Sequence, residues 1–278
     1  MSVREPILIG VDFTSRPTRR KPIMLACGRA QGAVLRLTAI HRFDSDTGLI
    51  GWLDAQSSWI GGFDLPFGLP RELVETLKWP TDWAACIAHY CGLDRATIRT
   101  SFTAFCNARP VGGKFAHRAC DRPAGSSPSM KWVNPPVAYM LHAGVPLLQA
   151  AGAGFPAHGQ VGAGHERTAL EAYPGLLARQ IIGRRSYKAD DRAKQTPERL
   201  IARLDLIDAL AHGQPSPGSP LAHRLVFSDA QRDRLSTDAS GDALDAVLCL
   251  AQAARAAGRP NWGLPADVDP LEGWIIGA

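Results

Sequence analysis

Five acids stand at the edges of apolar runs in this chain. Asp12 closes PILIGVDF (6–13), and Asp64 lies inside WIGGFDLPFGLP (59–70). Glu171 sits within TALEAYPG (168–175), and Asp242 and Asp245 open GDALDAVLCLAQAARAAG (241–258). An ionised acid on an apolar strand is costly to desolvate unless something pairs with it. Residues three apart on a helix are neighbours, so Asp242 and Asp245 share one face. If the acids converge, their mutual repulsion calls for cations, and an all-oxygen donor set suits Mg²⁺ or Mn²⁺. Two such ions roughly 3.5–4 Å apart clamp the attacking and leaving oxygens of a phosphodiester during hydrolysis. On that reading Asp12, Asp64 and one of Asp242 or Asp245 hold metal, and Glu171 assists as ligand or base. Each acid also has a plainer use. Asp12 suits hydrogen bonds to turn amides, and Asp64 suits a loop cap. Glu171 suits an ion pair with Arg167 or Arg179, and Asp242 suits the positive end of a helix dipole. Asp245, a turn further into an Ala/Leu/Val helix, is explained least well by the dipole.

Those acids need elements to carry them. PILIGVDF reads as a strand ending in a polar, basic turn, TSRPTRRK (14–21). PIMLACGRA (22–30) and AVLRLTAIHRF (33–43) follow as strands, separated by Gln31-Gly32, which is short enough for a hairpin. A short helix fits 44–57, and WIGGFDLP (59–66) is the fourth strand. Residues 71–107 turn helical through ELVETL, WAACIAHYCG and a segment that Asp94 is placed to cap. The stretch 109–164 is dense in Gly, Pro and Ser and reads as a loop-rich insertion over one face, carrying one helix near 135–149. TALEAYPG supplies the fifth strand, with Pro174 placed to start a helix. Residues 196–212 form an amphipathic helix through Leu200, Ile201, Leu204, Ile207, Leu210 and Ala211, and HGQPSPGSP (212–220) is a linker. The strongest helix is 241–258, with Ser240 as its cap and Gly258-Arg259-Pro260 as its stop. Three hairpin-linked strands followed by a crossover imply an α/β fold in which strands one and four lie side by side and parallel.

Totals narrow the class without deciding it. The 278 residues are 45% hydrophobic and 21% charged, an ordinary globular balance that supports one large α/β domain. No run of about eighteen apolar residues offers a membrane span, and the start of the chain has no signal-type stretch. Six cysteines without regular spacing point to free thiols in a reducing cytoplasm. The net charge of +5 is compatible with a polyanionic partner. Basic residues cluster in three loops that could contact phosphates: Arg16, Arg19, Arg20 and Lys21 after Asp12; Lys114, Arg118 and Arg122; Arg184, Arg185 and Lys188. Lys131 beside Trp132 could add a phosphate contact and a stacked base, although Trp132 also suits simple packing. Cys86, Cys91, Cys106, His117 and Cys120 lack the paired Cys-x-x-Cys spacing of a zinc site. AGAGFPAHGQVGAG (151–164) has no following Gly-Lys-Ser/Thr, which leaves a flexible cover rather than a phosphate loop.

Together GVDFTS, GGFDLPFGLP, LEAYPG, SGDALDAVLCLAQA and the terminal LEGWIIG resemble the domain of unknown function 429 family, described as predicted nucleases of the RNase H-like fold. The resemblance spans nearly the whole chain, with the motifs in the family's order. It implies one RNase H-like domain over 1–278, with a mixed five-stranded sheet flanked by helices and the 109–164 insertion. It matches Asp12 to the first-strand acid, Asp64 to the acid before the Leu-Pro turn, Glu171 to the Glu-x-x-Pro acid, and Asp245 with Asp242 to the acids of the last helix. Glu272-Gly273-Trp274-Ile275 matches a closing strand. The activity implied is cleavage of DNA or RNA with Mg²⁺ or Mn²⁺, with Arg16, Arg19, Lys131 and Lys188 as candidate substrate contacts. Two rivals stand beside it. One is a catalytically silent module that binds nucleic acid or protein. The other is an actin-like phosphotransferase, which would want a glycine-rich phosphate loop where DLPFGLP places prolines.

Overall fold

The computed structural model describes residues 6–160, 166–213 and 219–278 and has an α/β architecture. The start of the chain at 1–5, the glycines at 161–165 and the centre of the expected linker at 214–218 lie outside the described residues. Among the described residues six strands form one sheet: β1 (Ile7–Asp12), β2 (Ile23–Gln31), β3 (Val34–Phe43), β4 (Trp59–Asp64), β5 (Arg167–Glu171) and β6 (Arg224–Val226). Their order is β5-β4-β1-β2-β3-β6. β1, β2 and β3 are antiparallel neighbours, whereas β1–β4, β4–β5 and β3–β6 are parallel. Gly32, at φ +56°, makes the tight turn between β2 and β3. The sequence led us to expect five strands; the short β6 is the sixth and extends the β3 edge.

The helices are α1 (Asp46–Asp54), α2 (Arg71–Thr76), α3 (Trp83–Cys91), α4 (Arg95–Asn107), α5 (Asp121–Ala124), α6 (Val137–Ala150), α7 (Pro174–Ile182), α8 (Pro197–His212), α9 (Asp229–Thr237) and α10 (Asp242–Ala257). They cover both faces of the sheet. Ile9, Val11, Trp59 and Phe63 pack towards α1, α3, α4 and α6. Leu8, Met24, Ala26 and Leu35 pack towards α7, α8 and α10. This is the period-two alternation of strands buried on both sides. Asp94 caps α4 as expected, taking the Thr97 N–H at 2.7 Å.

Several expected details differ. α10 starts from Gly241 in the left-handed region at φ +77°, and the Asp238 carboxylate, rather than Ser240, takes the Ala243 N–H at 2.9 Å. α8 buries Ala202, Leu206, Ile207 and Leu210, while Leu200 and Ile201 face solvent. The terminal LEGWIIG is not a strand but a single parallel bridge from Ile275 to Glu171. Within 109–160 the insertion is mostly irregular, yet α6 buries Leu141, Val145 and Leu148 in the core and anchors it.

Candidate metal centre

The register of β1 and β4 brings the first two acids together. Asp12 pairs with Asp64 across the parallel ladder, at the carboxyl ends of both strands, and Gly10 pairs with Gly62 two residues earlier on the same face. That face meets α10. A Cβ built on Gly10 would fall 2.0 Å from the Leu250 nitrogen and 2.1 Å from the Ala246 oxygen; one on Gly62 would fall 2.5 Å from the Cys249 oxygen. The two glycines therefore let the α10 backbone rest directly on the sheet. Asp245, one position before Ala246, is thereby placed beside the strand acids. Carboxylate oxygens of Asp12, Asp64 and Asp245 all lie within 4.8 Å of one another. Of the five acids considered in the sequence, these three are the ones that meet.

Electrostatics within the triad are strained. Burial raises the Asp12 carboxyl well above its ordinary range, and the negative charges of Asp245, Asp242 and Asp64 add to the rise. Asp64 is pushed up to about 7, again by burial first and then by Asp245. Asp245 has no exposed surface, and both its oxygens are engaged. The Tyr187 hydroxyl donates to Oδ1 and the Lys188 ammonium to Oδ2. Burial alone would lower Lys188, but Asp245, Asp12 and Asp64 outweigh it and hold the ammonium above its usual value. Since 41% of the Lys188 side chain remains exposed, water tempers that hold. With one built-in cation against three carboxylates, the cluster is negative only when all three acids are ionised, which the raised Asp12 and Asp64 resist in the absence of a further cation.

Asp12 and Asp64 line a cleft of about 610 Å³ whose walls include Thr14, Ser15, Asn134, Lys188 and Asp242. Asp242 thus faces the cleft from the first turn of α10 but stands outside the triad. Burial raises its carboxyl, and Lys21 opposes the rise. Across the rim, Lys21 Nζ donates to Asp190 at 2.8 Å and joins the loop after β1 to the loop before α8.

The other expected site residues are placed differently. Glu171 is 4% exposed and stands outside the triad. Its oxygens take Arg118 Nη1 at 2.7 Å, Arg118 Nη2 at 2.6 Å and the Phe67 N–H at 3.0 Å. Its partner is therefore Arg118, not Arg167 or Arg179. Arg118, read from the sequence as a phosphate-contacting loop residue, is buried and also pairs with Asp121 at 2.9 Å. Neither Arg16 nor Arg19 lines the cleft; both are exposed, and Arg19 faces Asp44 at 3.8 Å. Lys131 is half-buried and away from the cleft lining, and its neighbour Trp132 packs against Phe102 and Phe115. Of the four candidate phosphate contacts, only Lys188 reaches the centre, where it meets an acid. Tyr187 was missed: it lies inside GRRSYK, where only the basic residues drew attention. The six cysteines are unpaired, and the acid triad is the one group among the described residues whose side chains could together hold a metal ion. No helix among them is long and apolar enough to cross a membrane.

The chain matches no protein-family model, no curated protein and no solved structure with which it was compared.

Proposed function

We propose that the protein is a divalent-cation-dependent nuclease that hydrolyses phosphodiester bonds, on an RNase H-like arrangement of strands. The observation that carries this reading is the meeting of three carboxylates from β1, β4 and α10, within 4.8 Å, beside a 610 Å³ cleft. The donor set is oxygen only, and once ionised its three carboxylates outnumber Lys188, which fits Mg²⁺ or Mn²⁺. Asp12, Asp64 and Asp245 would hold the cation. Once bound, it supplies charge that polarises the phosphodiester and acidifies water. Asp12 and Asp64 then stay ionised, because a nearby positive charge reverses the shift that burial imposes. Tyr187 and Lys188 fix the Asp245 carboxylate in orientation. Lys188, Thr14, Ser15 and Asn134 provide donors for the phosphate oxygens along the cleft. Glu171 and Arg118 brace the end of β5 from behind and take no part in proton transfer. The order of elements and the GVDFTS, GGFDLP and LEAYPG motifs support the RNase H-like assignment and the nucleic-acid substrate.

One observation favours a second reading. Lys188 and Tyr187 already occupy both oxygens of Asp245, as they would in a structural ion pair within a non-catalytic nucleic-acid-binding module. Incubating the protein with labelled DNA and RNA of single-stranded, duplex and junction form in Mn²⁺ separates the two. Cleavage that disappears in Asp12→Asn and Asp64→Asn, with folding retained, supports the nuclease. Binding without cleavage, unchanged in both variants, supports the module.

A further inference from the structure

The cleft does not end at the carboxylates. A second cavity of about 270 Å³ opens beside it and shares Asp64, Pro135, Met140 and Lys188 with its lining. Its remaining walls differ in chemistry: Leu65, Pro66, Val137, Ala172 and Ile275 are apolar, Tyr173 is aromatic, and Ser126 and Ser127 add two hydroxyls. At one side lies the Arg118–Glu171 pair. Arg118 spends Nε on Asp121, Nη1 on Glu171 and the Glu272 carbonyl, and Nη2 on Asp121 and Glu171. That pair therefore offers no free positive charge, and the other cation of the lining, Lys188, sits at the junction with the cleft and is bonded to Asp245.

We propose that this cavity receives one unstacked nucleobase, from the nucleotide next to the phosphodiester at Asp12, Asp64 and Asp245, so that the substrate is single-stranded or locally unpaired nucleic acid. The inference rests on the nuclease reading and adds the substrate class to it. Three features select a base over other occupants. The volume sits near the lower end of small-molecule sites, roughly 300–1,000 Å³, which suits one flat ring system better than a base pair. Tyr173 and the apolar walls suit a π-face, which every base presents. Asp64 and Lys188 border both spaces, so a ring in the cavity and a phosphate in the cleft can belong to one nucleotide step. A base inside continuous duplex is stacked and paired and must be extruded first, at an energetic cost that an unpaired strand avoids.

Val137 and Tyr173 line this cavity but not the cleft, so Val137→Trp would fill it and Tyr173→Leu would remove its aromatic wall without touching the carboxylates. The probe is a short single-stranded oligonucleotide carrying 2-aminopurine, in DNA and RNA forms, read by fluorescence in Mn²⁺ on an Asp12→Asn background to prevent cleavage. Mn²⁺ binding by the otherwise unsubstituted variants is measured separately by electron paramagnetic resonance. We expect the wild type to cleave single strands in preference to blunt duplex. Both cavity variants should keep the Mn²⁺ affinity and bind the probe about fivefold or more weakly, the low end of the cost of losing one stacking side chain. Equal handling of duplex and single strand, with probe affinity unchanged in both variants while Mn²⁺ still binds, overturns the base pocket and leaves the nuclease reading standing. Absence of Mn²⁺ binding in the wild type overturns the nuclease reading and this inference with it. If Val137→Trp does not fold, Tyr173→Leu alone decides.

Discussion

Asp64 makes the stability of the metal-free protein depend on pH in a direction the structure sets. Its carboxyl titrates at about 7 in the fold against an ordinary value of 3.8. The folded chain therefore holds a proton there that the unfolded chain releases, and stability falls as pH rises from about 4 to about 7. A shift of about 3 units would correspond to roughly 4 kcal/mol if the site were dry. Asp64 is only half-buried at the cleft wall, so water and its coupling to Asp12 reduce this to about 1–2 kcal/mol. At roughly 2–4 °C per kcal/mol for a chain of this size, that is a difference of about 2–8 °C in Tm. The assay compares wild type with Asp64→Asn in EDTA by thermal unfolding at pH 4.5 and pH 8. The comparison cancels groups such as His158, which burial lowers to about 3 and whose effect on stability runs the opposite way. Asp64→Asn should match the wild type at pH 4.5 and exceed it at pH 8. Adding Mg²⁺ at pH 8 should raise the wild type and leave the variant nearly unmoved. A variant less stable than wild type at pH 8, or a gap that does not widen with pH, refutes the reasoning.

Three further outcomes follow from packing and burial. Gly10→Ala should cost about 3 kcal/mol or more in urea unfolding, because its Cβ meets the α10 backbone rather than a movable side chain. Gly51→Ala, on α1 with nothing within 4 Å of the added Cβ, should instead gain about 0.5–1 kcal/mol. Arg118→Met should lose about 3–5 kcal/mol in the same assay, since it strands the buried carboxylates of Glu171 and Asp121 without a partner. A loss below about 1 kcal/mol would show that the pair is not the brace described.

Much of the sheet was legible because its strands are apolar runs of five to ten residues broken by turn residues. Asp12 and Asp64 announced themselves as acids at the ends of such runs. Their shared Gly-x-Asp spacing, GVD and GFD, held a further signal that went unused: a glycine two residues before each acid, where a helix must approach. β6 was not legible, since three residues beside a linker carry no periodicity. α9 was hidden by polarity, with Leu235 its one buried residue, although its Ser228–Gln231 capping box was there to read. The partner of Glu171 lies 53 residues away in an irregular segment, and no local pattern encodes such a pairing. Lys188 marks the limit of charge counting. Its sequence neighbourhood says that it is basic, and only the fold says that it meets Asp245 before any phosphate.

The central claim is that three carboxylates distant in sequence share a divalent cation. Crystals soaked in Mn²⁺ and measured for anomalous scattering test it most directly. The account predicts a peak about 2.0–2.6 Å from oxygens of Asp12, Asp64 and Asp245, absent in Asp64→Asn crystals. Density showing the three acids together with Lys188 bonded to Asp245 and no peak among them would contradict it.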